Sequence, residues 1–128
     1  MRALLDTNSF LWFISGSDKL SGQARNFMSE LNNQLALSVS GLWEIAIKIS
    51  LGRLELARPF EQFMQEQLRE NAIEVLPIEI RHLTKLIQLP FHHRDPFDRL
   101  LIAQAIAEGI PVISADTVFK DYGIEVIW

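Results

Sequence analysis

Apolar residues along the chain fall into short Val-, Ile- and Leu-rich runs separated by stretches with helical periodicity. Five runs, at 2–6, 35–39, 73–76, 111–115 and 124–128, have the length and composition of strands. Segment 20–31 has a Ser-Gly start and an Asn32-Asn33 stop, and 60–71 places Phe60, Phe63, Met64 and Leu68 at helical spacing. A further helix is predicted over 80–89, ended by Pro90. The best-marked helix is 96–108, with Asp95 as N-cap, Pro96 in the first turn and Gly109 as stop. In 41–51, Trp43, Ile45, Ile47, Ile49 and Leu51 alternate like a strand, while Glu44 and Lys48 have i,i+4 spacing; the pattern is assigned to a buried helix. Strands alternating with helices predict an α/β fold with a largely parallel, buried sheet. No repeat or linker interrupts the pattern, and the longest irregular stretch expected is 89–94.

Composition narrows the function classes. A chain of 128 residues that is 48% hydrophobic has enough apolar content for one self-sufficient domain. The absence of cysteine removes disulfides, thiolate metal sites and cysteine nucleophiles, and fits a reducing cytoplasm. The N-terminal apolar run is too short for a secretory segment, and no stretch approaches the roughly 18 apolar residues of a membrane span. A soluble cytoplasmic protein with no membrane partner is expected. The net charge of −4 lacks the basic excess with which nucleic-acid binders displace counterions from phosphates.

Candidate chemistry lies in the acids. Ligands of open α/β sheets bind beyond the carboxyl ends of the strands, where strand order reverses. Asp6 closes the first predicted strand and Asp116 follows the fourth. Asp98 lies in the first turn of 96–108, and Glu44 stands among Leu42, Trp43, Ile45, Ala46 and Ile47, where an unpaired carboxylate is costly to bury. Lys48 or a cation must compensate it. Three or four carboxylates without cysteine suit Mg²⁺ or Mn²⁺, hard cations that suit phosphodiester hydrolysis. Each residue also has a structural reading. Asp6 and Asp116 are placed to cap the segments that follow them, Asp95 with Asp98 forms a variant capping box, and Glu44 with Lys48 is spaced as an ordinary ion pair. His92 and His93 are expected to be loop or capping residues. Lys48, Arg53, Arg94 and Arg99 either contact phosphates or neutralise the acids.

Four stretches in order, Leu4-Leu5-Asp6-Thr7-Asn8, Ser40-Gly41-Leu42-Trp43-Glu44-Ile45-Ala46-Ile47-Lys48, the run from Arg94 to Ala105 containing Asp95-Pro96-Phe97-Asp98-Arg99, and Pro111-Val112-Ile113-Ser114-Ala115-Asp116, span nearly the whole chain. The pattern resembles the PIN-domain nucleases, and among them the toxin ribonucleases of VapBC toxin-antitoxin systems. The resemblance implies a single PIN-like domain over 1–128 with a central parallel five-stranded sheet flanked by helices on both faces, and a helix over 41–51. It carries the family's acidic metal site onto Asp6, Glu44, Asp98 and Asp116, with Asp95 in support. It further implies an endoribonuclease using Mg²⁺ or Mn²⁺ to leave a 5′-phosphate and a 3′-hydroxyl, a homodimer, and a cognate antitoxin that inserts into the acidic site.

Two other readings are weighed against it. A phosphoacceptor receiver domain would want an adjacent acid pair after the first strand and a lysine after the last, and neither is present. A non-catalytic partner-binding module would use the four acids only as caps and ion pairs. A metal site predicts instead that the carboxylates crowd one another, raising at least one pKa in the metal-free protein.

Overall fold

The computed structural model describes all residues, Met1–Trp128. Five strands, β1 (Arg2–Leu5), β2 (Gln34–Ser38), β3 (Ile73–Leu76), β4 (Val112–Ile113) and β5 (Val126–Ile127), form one parallel sheet in the order β3-β2-β1-β4-β5. The helices are α1 (Thr7–Ser15), α2 (Gly22–Ser29), α3 (Val39–Ser50), α4 (Phe60–Glu70), α5 (Ile80–Gln88) and α6 (Pro96–Glu108), with a 3-10 turn at Thr117–Tyr122.

Strand alternation sorts the core onto two faces. Ala3, Leu5, Leu35, Leu37, Ile73 and Ile113 join Phe10 of α1, Ala24 and Met28 of α2, Ile45 of α3 and Met64 of α4. Leu4, Ala36 and Val112 point the other way, onto Leu101, Ile102, Ala103 and Ala105 of α6 and onto Phe119. The expected α/β sheet with helices on both faces is therefore the fold. Successive strands step outward from β1 to β3, and the chain then returns through α6 to lay β4 against the other side of β1. Strand order thus reverses between β1 and β4, opening a crevice beyond their carboxyl ends.

Several boundaries differ from the sequence expectations. The predicted strands at 111–115 and 124–128 contract to two residues each, because Pro111 has no N–H to give and the chain turns off at the exposed Ala115 and Asp116. The helix expected over 20–31 is trimmed to Gly22–Ser29, where the Ser21 side chain accepts from the Ala24 N–H. Helix α1 has no amphipathic signature to mark its extent, since Phe10-Leu11-Trp12-Phe13-Ile14 is apolar on every side. The longest irregular stretch is 51–59 rather than 89–94, anchored by Leu54 and Leu56 packing against the first core.

A candidate acidic active site

Small polar side chains gather at the carboxyl ends of the strands. Thr7, Ser9, Ser38, Ser40 and Ser114 are all buried at this edge. Ser9 Oγ donates to the Ile113 carbonyl at 3.1 Å, tying the start of α1 to the end of β4. Asp6 is held in the same place from both sides. Its N–H reaches the Ile113 carbonyl at 3.2 Å, and its Oδ1 accepts from the Ser9 N–H at 2.8 Å, so the capping role is realised at the switch point itself.

Glu44 enters from α3. Gly41, one turn earlier, allows the close approach: a Cβ there would lie 3.1 Å from Leu37 Cδ1 and 3.5 Å from Thr7 Oγ1. The Glu44 carboxylate is met by Thr7 Oγ1, which donates to Oε1 at 2.5 Å, and makes no ion pair with Lys48. Of the two compensations expected, the ion pair with Lys48 is absent, and the buried hydroxyl at the start of α1 supplies a hydrogen bond that neither expectation included. Thr7→Val, which keeps the shape and removes the donor, leaves this part-buried carboxylate without its hydrogen bond and is expected to destabilise the fold by about 1 kcal/mol, read from urea denaturation midpoints.

Asp98 comes from α6, which runs back along the sheet and so begins at the edge where the strands end. Asp95 caps that helix through Oδ1, accepting from Phe97 N–H at 2.8 Å and Asp98 N–H at 3.3 Å. No reciprocal box forms, because Asp98 Oδ2 is engaged instead by His93 Nε2 at 2.7 Å. His93 is thus a site residue that the loop-or-cap reading missed. His92 does remain a loop residue, edge-on to Tyr122 at 5.0 Å. Asp98, Asp116 and His93 offer ligand atoms that all lie within 4.8 Å of one another. Asp98 also lines one cleft with Glu44, Thr7, Ser38, Ser40 and Phe97. It is the acid common to both groupings, whereas Asp6, whose carboxylate caps α1 just after β1, belongs to neither. Asp116 additionally caps the 3-10 turn, its Oδ1 accepting from Val118 N–H at 3.0 Å.

Burial is the first cause that pushes the Asp98 carboxyl above its ordinary value. The nearby Asp95 and Asp116 charges add to it, and the His93 hydrogen bond and charge oppose it. The expected raised pKa is found, although desolvation outweighs repulsion as its cause. None of Asp6, Glu44, Asp98 and Asp116 has a Lys or Arg within ion-pair distance. At the opposite sheet edge, by contrast, the cluster of Glu79, His82 and Glu108 is already neutralised, with Glu108 bound to Arg81 and, at 3.2 Å, to Arg2.

Arg99, expected to meet phosphates or acids, does neither. It is buried, and its guanidinium donates to the carbonyls of Pro90 at 2.9 Å and His93 at 3.4 Å and lies 4.0 Å from the Phe91 ring. It clamps the loop that carries His93.

The sequence profile described as PIN domain matches residues 3–125. The chain belongs to the PIN-domain family. Solved structures agree with that assignment at the level of fold. VapBC2 from Rickettsia felis, solved bound to a DNA fragment from its promoter, superposes on this PIN domain with a TM-score of 0.71 at 21% identity, covering 98% of this chain and 97% of that one. FitAcB from Neisseria gonorrhoeae gives 0.70 at 18% identity over 100% and 97%, and VapBC-1 from nontypeable Haemophilus influenzae 0.67 at 17% over 98% and 96%. No curated protein matches the sequence. No helix of this PIN domain is long and apolar enough to cross a membrane.

Proposed function

We propose that this PIN domain is a divalent-metal-dependent endoribonuclease, and that it is the toxin of a VapBC-type toxin-antitoxin pair. The observation that carries the reading is the gathering of Asp98, Asp116 and His93 ligand atoms within 4.8 Å of one another, with Asp98 and Glu44 lining one cleft and no Lys or Arg to balance the carboxylates. Such an oxygen-rich donor set fits Mg²⁺ or Mn²⁺. Asp98 and Asp116 would hold the ion, with Asp6 and Glu44 completing the acidic shell. Bound there, the metal would lower the pKa of a water and offset charge building on the phosphoryl oxygens. In the chain itself, Thr7 fixes the Glu44 carboxylate, Ser9 fixes Asp6, and His93 fixes Asp98, so the acids are preorganised before substrate arrives. Water adds to phosphorus as the P–O3′ bond breaks, leaving a 5′-phosphate and a protonated 3′-hydroxyl.

PIN domains are generally nucleases, which supports the phosphodiester chemistry. The similar structures include a toxin-antitoxin complex from Klebsiella pneumoniae, and by that likeness a cognate antitoxin belongs to the proposal, alongside the homodimer that the family resemblance implies. An antitoxin placing a cationic side chain among the unbalanced acids would silence them. Incubation of the partner-free protein with end-labelled total RNA tests the reading. Fragments bearing phosphatase-sensitive 5′ ends with Mn²⁺ and none with EDTA are expected. No cleavage by protein that still binds Mn²⁺ would favour a partner-holding module.

A further inference from the structure

Two aromatic residues each stand one position before an acid of the cleft: Trp43 precedes Glu44, and Phe97 precedes Asp98. Their rings meet edge-on, with centroids 5.2 Å apart and planes at 62°. Phe97 lines the cleft and is partly buried, whereas Trp43 is 60% exposed. The other two tryptophans, Trp12 and Trp128, are partly buried and pack on each other at 5.9 Å in the first core. An edge-on contact leaves at least one indole face without an aromatic neighbour, whichever ring presents its edge. So large an apolar plane held open to water on the lip of a polar cleft suits a flat partner.

Charge says what kind. With a net charge of −4 and unbalanced acids in the cleft, this chain gains little from counterion release. Affinity for a polyanion must then come from contacts that do not depend on charge, and base stacking on an aromatic side chain is the strongest of these. Resting on the nuclease reading above, the geometry points to Trp43 as a stacking platform for an unpaired RNA base beside the scissile phosphate, braced by Phe97. A base paired inside a helix cannot present its face, so this contact forms only with an unpaired base. Because every base has a π-face, the platform selects for strandedness rather than sequence.

Tryptophan fluorescence in EDTA isolates this contact from catalysis. The probe is an RNA oligonucleotide, kept intact by withholding the metal, presented single-stranded or annealed to its complement. The single strand is expected to quench wild-type fluorescence, the duplex to quench far less, and Trp43→Phe to abolish the quench while largely retaining binding. Trp43→Ala is expected to weaken binding by about 5- to 150-fold, the range for loss of one stacked base. With metal restored its loss should fall on KM, with kcat nearly unchanged. Equal affinity of wild type and Trp43→Ala for the single strand, equal quenching by duplex, no binding to the single strand, or a quench produced only by a protein partner would each overturn the assignment. The nuclease reading is judged separately, by metal-dependent cleavage.

Discussion

Asp98→Asn is expected to abolish RNA cleavage and, at the same time, to stabilise the metal-free fold at neutral pH. The activity loss should be about 100-fold or more, beyond the 10- to 100-fold typical when only an outer partner of a metal ligand is removed. The stability gain follows from burial of the Asp98 carboxyl near Asp95 and Asp116, which raises its folded-state pKa above the ordinary 3.8. An acid with a raised folded pKa binds its proton more tightly in the native state than in the unfolded one. Its cost is absent below the unfolded value, grows as pH rises through that value, and is complete above the folded one. The neutral amide removes the cost and still accepts from His93. Urea midpoints in EDTA should therefore separate in favour of the variant at pH 7 and converge toward pH 3. A variant less stable than wild type at pH 7 would contradict the burial argument.

Arg99→Ala is expected to destabilise the protein by about 3 kcal/mol, through loss of charge-assisted hydrogen bonds and of the cation-π contact with Phe91. Only the Pro90 carbonyl, at 2.9 Å, is at good distance; those of Leu86 and Leu89, at 3.5 Å, add little. Arg99→Lys should recover only part of it, since an ammonium can keep the bond to the Pro90 carbonyl but has no planar guanidinium to lie over the Phe91 ring. Tyr122 ties into the same loop, its hydroxyl donating to the Pro90 carbonyl and accepting from His93 N–H, both at 2.9 Å. Loosening that loop frees His93 from Asp98, so cleavage should fall along with stability. Denaturation curves and initial rates on the same samples check both effects.

The parts legible in the sequence were those governed by local pattern. Two-residue alternation in Leu4-Leu5 and Leu35-Ala36-Leu37 predicts two buried faces, and acids placed just after strands or at a helix start predict an edge site. What escaped depends on contacts between distant segments. The Thr7 hydroxyl finds Glu44 across 37 positions, so spacing within α3 offered only Lys48 or a cation as its partner. His93 meets Asp98 only because Arg99 and Tyr122 fold its loop back over α6. Arg99 carries no mark distinguishing a buried clamp from a surface cation. The buried serines and Thr7 did leave a signal, since a small hydroxyl directly after an apolar strand marks the end where ligands bind. The length of β4 was overestimated because apolar composition continues through Ala115 after pairing has stopped.

Direct Mn²⁺ titration of the purified, partner-free protein at pH 7, read by calorimetry and by melting temperature, tests most directly that these acids form a cation site. Wild type is expected to bind Mn²⁺ and, at metal about 100 times Kd, to gain about 2.7 kcal/mol of stability by mass action. The Asp98→Asn, Asp116→Asn double variant is expected to lose both effects while folding normally. Equal binding and equal thermal shifts in the two proteins would contradict a metal site at the head of β1 and β4.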